Sequence, residues 1–213
     1  MSTNNRRIAR RRGRRPGRHP IPSDDLQPGG DAVRGYMKQM VAFRDQCGGK
    51  PEGWGYSCIE DYVLDWGATL ESASLTSEEE ATLWKAVDQC RIRFQQKQCF
   101  YNAQLLCLYD YSGTLAYMEG YAAGRACLPV HHGWATINGK VIDLTWRTEK
   151  ANHKGRLGNR VIGIIPEGWE YIGCPFDKES ARARMLESGE IRAFLGDYMA
   201  HFPRLSGDRR PST

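Results

Sequence analysis

The chain has 213 residues, of which 40% are hydrophobic and 26% are charged, a composition that is ordinary for a soluble globular protein. No apolar stretch approaches the ~18 residues that a membrane-spanning helix needs, and no apolar run follows the basic N-terminus. The sequence therefore predicts neither a membrane contact nor a secretory signal.

Seven cysteines are scattered along the chain, without a CxxC pair and without the Cys/His spacing of a zinc site. This pattern favours a reducing compartment, so we expect a cytoplasmic protein in which most thiols pack as small core hydrophobes. The missing ligand spacing also predicts that the protein uses no metal ion, and we expect no cofactor.

Positive charge is concentrated in residues 1–20, which contain no acid and eight arginines: Arg6, Arg7, Arg10, Arg11, Arg12, Arg14, Arg15 and Arg18. Without these eight, the formal net charge of +5 becomes −3 for residues 21–213. The composition of residues 1–30 predicts a disordered tail. Two interpretations stay open: an arm that binds nucleic acid non-specifically through residues 1–20, and a solubilising extension without a partner.

Helical patterns dominate residues 31–98. Two short helices are predicted within 31–70, on either side of a turn at 47–53, and the second ends near Gly67. Thr76 and Glu79 have the spacing of a capping box and predict the start of a third helix. After a polar break at 95–98, the segment from Cys99 to Tyr109 is apolar nearly all round, which predicts a central, buried helix.

Strand patterns follow from about residue 114. Strands are predicted over 115–122, 132–137, 140–145, 161–165 and near 171–172, and two helices over 177–188 and 190–201, separated by Gly189. Helices followed by strands indicate an α+β fold. We expect a single domain over 31–205, with a helical part (31–98), a helix-plus-sheet core (99–176) and C-terminal helices (177–202), and a disordered end over 206–213.

The dipeptide Asn138-Gly139 predicts a two-residue hairpin turn, which determines how the flanking strands pair. In this register Trp134 lies opposite Asp143, and His132 lies on the same sheet face as Trp134. His132 is then a diagonal neighbour of Asp143, at roughly 7–8 Å between backbone positions, which a His–carboxylate hydrogen bond can span. The neighbouring His131 points to the opposite face.

Cys99 begins the predicted buried helix, where unpaired N–H groups and the helix dipole favour a thiolate. Packing of this helix against the hairpin would bring Cys99 to His132. The sequence therefore predicts a nucleophilic triad of Cys99, His132 and Asp143. The alternative interpretation is structural, because a cysteine in an apolar helix or a histidine beside a tryptophan is often a packing residue.

The same blocks resemble the transglutaminase-like branch of the papain-like cysteine fold. The resemblance is carried by the segment from Cys99 to Ala103, by His132-Gly133-Trp134 and by the block from Asp143 to Trp146, with Glu119-Gly120-Tyr121 similar to the strand before the histidine. It covers about residues 95–146. It implies a central helix packed on a small antiparallel sheet, here with helical N- and C-terminal additions.

The resemblance also implies a function, a thiol acyl-transfer enzyme acting on a protein or peptide amide by hydrolysis, deamidation or transamidation. Gln98, Asn102 and Trp134 are the candidates for oxyanion or supporting roles. The family often has Gly two residues before the cysteine, whereas this chain has Lys97, so the second oxyanion donor is open between Gln96, Gln98 and a solvated helix end. The alternative is an inactive or weakly active binding module whose basic arm binds nucleic acid.

Overall fold

The computed structural model describes residues 31–91, 94–125, 127–148 and 158–206. Within them, five α-helices accompany a curled antiparallel sheet of six strands, a mixed α+β arrangement. The arginine-rich arm and residues 207–213, for which disorder was predicted, lie outside the described residues. The helices are α1 (Ala32–Gln46), α2 (Ile59–Trp66), α3 (Ser77–Cys90), α4 (Cys99–Tyr109) and α5 (Lys178–Ser188). The strands are β1 (Ala68–Thr69), β2 (Leu115–Ala123), β3 (Val130–Ile137), β4 (Lys140–Asp143), β5 (Val161–Gly163) and β6 (Glu170–Phe176).

The strand order of the sheet is β1-β6-β2-β3-β4-β5, and every neighbouring pair is antiparallel. The turn between β3 and β4 has the positive φ angles of a type I′ turn, 50° at Asn138 and 79° at Gly139. Ile137 pairs with Lys140 and Ala135 with Ile142, so the predicted hairpin register is confirmed. This register places the start of β3 beside the end of β4.

Helix α4 occupies the centre of the fold and packs on β3 and β2. Its residues 102–107 are all buried, as its apolar composition predicts. The helix approaches β3 at Gly133, where a Cβ atom would lie 2.8 Å from Phe100 Cδ1 and 3.2 Å from Phe100 Cα. The absence of a side chain at Gly133 therefore allows the first turn of α4 to contact the strand that carries His132.

We expect Gly133→Ala to destabilise the protein by about 1–3 kcal/mol and to slow alkylation of Cys99, because the added methyl group displaces the first turn of α4. Gly35→Ala is the matched control: it lies in α1 and a Cβ there would have no atom within 4 Å. This control should be more stable than the wild type by about 0.5–1 kcal/mol. Urea unfolding measures both, and equal stability of the two variants would contradict the close approach at Gly133.

The predicted helix over 190–201 is wrong, because the structure has only bends and turns there. The backbone N–H groups of Phe194 and Leu195 donate to the buried Glu119 carboxylate, both at 2.6 Å, and are therefore lost to a helical ladder. Of the predicted C-terminal helices, only α5 is present; its C-cap is Gly189, with a φ of 70°.

The predicted helical part also contains the short strand β1, which pairs with β6 at Ile172 and Gly173. The predicted strand over 140–145 ends earlier, at Asp143. The Asp143 carboxylate accepts hydrogen bonds from the N–H groups of Thr145 and Trp146, and this local turn replaces the strand. In the part of the chain that the structure describes, no helix has the length and apolar character needed to cross a membrane.

Candidate active site

His132 and Asp143 form a buried hydrogen-bonded pair. His132 Nε2 lies 2.8 Å from Asp143 Oδ2, and the side chains are 2% and 0% exposed. The β3–β4 pairing runs from the turn to Ala135 and Ile142, and it places His132 and Asp143 at the same end of the hairpin. Nε2 is taken by the carboxylate, so Nδ1 is the ring nitrogen left for another partner.

Asp143 is held by more than its histidine. Its Oδ1 accepts from the N–H groups of Thr145 (2.8 Å) and Trp146 (3.1 Å), and its Oδ2 also accepts from the Tyr171 hydroxyl at 3.0 Å. Sequence reasoning did not find the role of Tyr171, because this residue comes from β6, which reaches the site through a pairing distant in sequence. These bonds hold the carboxylate ionised and in one orientation toward His132.

Two indole rings enclose the imidazole. Trp146 stacks on His132 with ring centroids 4.7 Å apart, and Trp134 lies on it at 6.1 Å with the rings nearly parallel. Trp134, a predicted oxyanion or supporting residue, is 1% exposed and does not line the pocket, so its place is a supporting one. The contribution of Trp146 was not predicted, although this residue belongs to the block that begins at Asp143.

Cys99 is the first residue of α4 and is partly exposed. With His132 and Trp146 it lines a pocket of about 370 Å³. The hydrogen bond from Asn102 N–H to Gln98 is the first of the helix, so the N–H groups of the turn that begins at Cys99 have no intrahelical acceptor. Cys99 and His132 therefore lie in one pocket at the N-terminal end of α4, and Asp143 is hydrogen-bonded to His132.

His132 and Asp143 shift each other's pKa so that both side chains are charged. Burial alone would lower the pKa of His132, but the Asp143 carboxylate, followed by hydrogen bonding and charge at Cys99, raises that pKa to about 10. Burial alone would raise the pKa of Asp143, and the His132 imidazolium with two backbone N–H groups brings it below its usual value. At neutral pH the pair is therefore an imidazolium and a carboxylate, with the sulfur of Cys99 beside the imidazolium.

Asn102, another predicted oxyanion or supporting residue, braces the site. Its Nδ2 donates to the Gln95 carbonyl at 2.6 Å and to Thr145 Oγ1 at 2.9 Å, while its Oδ1 accepts from Gln95 N–H. Both amide protons are therefore in use, and Asn102 is not an oxyanion donor. It links the loop before Cys99 to the turn that holds Asp143.

Gln98, the third residue predicted for an oxyanion or supporting role, is the N-cap of α4. Its side chain forms no capping hydrogen bond and does not line the pocket. Gln96 lines the pocket, together with Lys97, which has a left-handed backbone conformation at φ 64°. Of the two glutamines considered as second oxyanion donor, Gln96 lines the pocket and Gln98 does not.

His131 forms a second histidine–carboxylate pair on the opposite face of β3. Its Nε2 lies 2.9 Å from Glu119 Oε1, and its ring packs against Phe100. Burial alone would raise the pKa of Glu119, but His131 and the backbone N–H groups of Phe194 and Leu195 lower it. His131 lines the wall of the Cys99 pocket, but its carboxylate partner ties it to the C-terminal segment.

We expect the His132–Asp143 pair to make stability depend on pH. The folded-state pKa of His132 is about 10, above the usual 6.5, so its contribution is complete below about pH 6.5 and is lost as pH rises through 10. The free energy of unfolding should therefore fall more steeply between pH 6.5 and 10 in the wild type than in His132→Gln. Urea unfolding across this range is the measurement, and parallel pH profiles would contradict the pairing.

All seven cysteines are free thiols. Burial raises the pKa of Cys90, Cys107 and Cys174, which pack in the interior. The prediction that most thiols pack in the core is therefore wrong: it holds for these three, while the other four reach the surface at least in part. Among the described residues, no group of three or more His, Cys, Asp or Glu side chains could hold a metal ion.

Comparisons with models of protein families, with curated proteins and with solved structures give no match for this chain.

Proposed function

We propose that this protein is a thiol acyl-transfer enzyme of transglutaminase-like type that acts on a protein or peptide amide. The single observation that carries the proposal is the arrangement of a helix-terminal thiol, Cys99, against a buried His132 that is hydrogen-bonded to Asp143. Nucleophile, base and base-orienting carboxylate are the three groups that thiol acyl transfer requires.

In the first half-reaction, the Cys99 thiolate attacks the carbonyl carbon of the amide and forms a carbon–sulfur bond. The carbonyl oxygen becomes an oxyanion, and the N–H groups of the first turn of α4, which have no acceptor in the helix, are candidate donors to it. The tetrahedral intermediate collapses to a thioester as the carbon–nitrogen bond breaks. The leaving nitrogen takes its proton from the His132 imidazolium and departs as ammonia or an amine.

In the second half-reaction, neutral His132 accepts a proton from water or from an amine as either attacks the thioester. Water yields a carboxylic acid, so the overall reaction is hydrolysis or deamidation, and an amine yields a new amide, which is transamidation. In both cases the carbon–sulfur bond breaks and the thiolate–imidazolium pair is restored. Asp143 keeps its hydrogen bond to Nε2 throughout, which directs Nδ1 to the reacting groups.

An activated ester, p-nitrophenyl acetate, tests whether Cys99 forms an acyl-enzyme. We expect a burst of about one p-nitrophenolate per chain, because acylation by a good leaving group outruns deacylation. Peptide mass mapping should place the acetyl group on Cys99. Added hydroxylamine should speed its release if amines enter the site, so the ratio of acetate to acetohydroxamate measures the preference between hydrolysis and aminolysis.

Cys99→Ala is the direct variant for this experiment, and Cys47→Ala is the matched control because Cys47 is an exposed thiol outside the pocket. The burst should disappear in the first variant and persist in the second. A burst of the same size in Cys99→Ala, or acetyl groups spread over Cys47 and Cys127, would refute the proposal.

A further inference from the structure

The mouth of the Cys99 pocket is positively charged. Lys97 and Arg147 both line it, the first from the segment before α4 and the second from the segment after the turn that follows Asp143. Both side chains are exposed, and neither forms an ion pair with a carboxylate among the described residues. No aspartate or glutamate lines the pocket within that part of the chain.

A third cation, Arg160, adds to the positive charge of Lys97 and Arg147. Arg160 is 8% exposed, and its Nη1 donates to the Thr145 carbonyl at 3.0 Å, under the turn that leads to Arg147. Burial and the charge of Arg147 lower the pKa of Arg160, and the charge of Asp143 offsets only part of this effect, so the two guanidinium groups are close enough to repel each other. The site thus keeps cations together at a cost, although residues 21–213 have a net charge of −3.

The two buried carboxylates beside the pocket form no ion pair with Lys97 or Arg147. Asp143 is 0% exposed and paired with His132, and Glu119 is 0% exposed and paired with His131. Lys97 and Arg147 are therefore free of carboxylate partners within the part of the chain that the structure describes. A ligand that enters the pocket meets both cations as it approaches Cys99.

We propose that the acyl donor is a peptide with an acidic side chain next to the reacting amide, and that Lys97 and Arg147 bind its carboxylate. This inference rests on the proposed function, because a peptide amide is an acyl donor here only if Cys99 carries out acyl transfer. A nucleic acid could also neutralise the cations, but its phosphates offer no carbonyl carbon to Cys99. The occupant that satisfies both the thiol and the cations is an acidic peptide amide.

Two small alkylating agents test the charge at the thiol without any knowledge of the natural substrate. Iodoacetate is an anion and iodoacetamide is its neutral counterpart, and both transfer a carbon to the Cys99 sulfur with loss of iodide. The rate with iodoacetate divided by the rate with iodoacetamide, at low ionic strength, measures the electrostatic potential at the Cys99 sulfur. We expect Lys97→Glu/Arg147→Glu to lower this ratio by at least about threefold, and added salt to lower it in the wild type.

Lys38→Glu is the matched control, because Lys38 is an exposed residue of α1 outside the pocket. It makes the same charge change and should leave the ratio within error of the wild type. An unchanged ratio in Lys97→Glu/Arg147→Glu, with rapid alkylation of Cys99 by iodoacetamide, would overturn this inference and leave the proposed function intact. Absence of preferential alkylation at Cys99 would count against the proposed function itself.

Peptides of matched length form the second arm, each with a central glutamine flanked by glutamates, alanines or lysines. We expect kcat/KM for ammonia release in the presence of hydroxylamine to be highest for the glutamate peptide, and the order to reverse in Lys97→Glu/Arg147→Glu. Equal values for the three peptides in the wild type would contradict an acidic substrate. Competition by a short single-stranded DNA as strong as that by the glutamate peptide would assign the cations to nucleic acid instead.

Discussion

His132→Gln should slow alkylation of Cys99 by iodoacetamide at pH 6 by roughly 10²–10³-fold, because the variant loses the imidazolium that holds the thiolate. The raised pKa of His132, about 10, keeps the imidazole protonated throughout the neutral range. The advantage of the wild type over the variant should therefore be largest at pH 6 and should shrink as pH rises through about 10, where His132 loses its proton. Rates come from quenched time points with peptide mass mapping at each pH.

The neighbouring histidine offers the matched control. His131 lines the same pocket but is bonded to Glu119 on the other face of β3, and a glutamine there can still donate to that carboxylate. His131→Gln should change the rate of Cys99 alkylation by less than about threefold. Comparable losses in His131→Gln and His132→Gln would show that the effect comes from general disturbance of the pocket, and would contradict the assignment of His132 as the base.

Glu119→Ala should lower the free energy of unfolding by about 3–5 kcal/mol, the largest stability effect that we expect from a single substitution. The carboxylate is 0% exposed, and it accepts hydrogen bonds from His131, from the Tyr117 hydroxyl and from the N–H groups of Phe194 and Leu195. Its removal leaves two backbone N–H groups buried without an acceptor, which is costly in an interior. Urea or guanidinium unfolding measures the loss.

Glu119→Gln separates the hydrogen bonds from the space that the side chain fills. The amide keeps one acceptor oxygen, so we expect a smaller loss of about 1–3 kcal/mol. Hydrogen exchange provides a local readout: the amides of Phe194 and Leu195 should lose protection in Glu119→Ala before the amides of the central helix do. Stability of Glu119→Ala within 1 kcal/mol of the wild type would contradict the role of this carboxylate in holding the C-terminal segment.

Local sequence signals account for much of the fold. The capping box at Thr76 and Glu79 begins α3, and Asn138-Gly139 forms the predicted turn. The helix at Cys99 was recognisable because its residues are apolar on every side, as a central helix requires. These features depend on residues a few positions apart, which is the range over which propensity and periodicity are informative.

The wrong secondary-structure predictions lie where a residue distant in sequence determines the backbone conformation. Residues 190–201 have a helical pattern, but Glu119, more than 70 positions away, captures the N–H groups of Phe194 and Leu195. The short strand β1 exists because β6 pairs with it, a contact that the local sequence does not announce. Both cases show a tertiary hydrogen bond overriding a local preference.

In the candidate site, too, contacts set by nearby residues were predictable and contacts set by distant residues were not. The hairpin register was sufficient to select His132 over His131 and to place it near Asp143, because both residues lie within a few positions of the turn. The approach of Cys99 depends on Gly133, and the orientation of Asp143 depends on Tyr171. Neither contact follows from spacing along the chain. The sequence was therefore sufficient to propose the three residues as a triad, but not to predict the contacts that position Cys99 and Asp143.

Competition among the seven cysteines tests the central claim, that Cys99 is activated by His132, most directly. Cys47 and Cys127 are exposed, whereas Cys99 is only partly so, so exposure alone favours the first two. The native chain is treated at pH 6 with less than one equivalent of iodoacetamide, and the label is mapped by mass spectrometry. We expect most of the label on Cys99, and we expect this preference to disappear in His132→Gln. A label that follows exposure, with Cys47 and Cys127 ahead of Cys99, would contradict that claim.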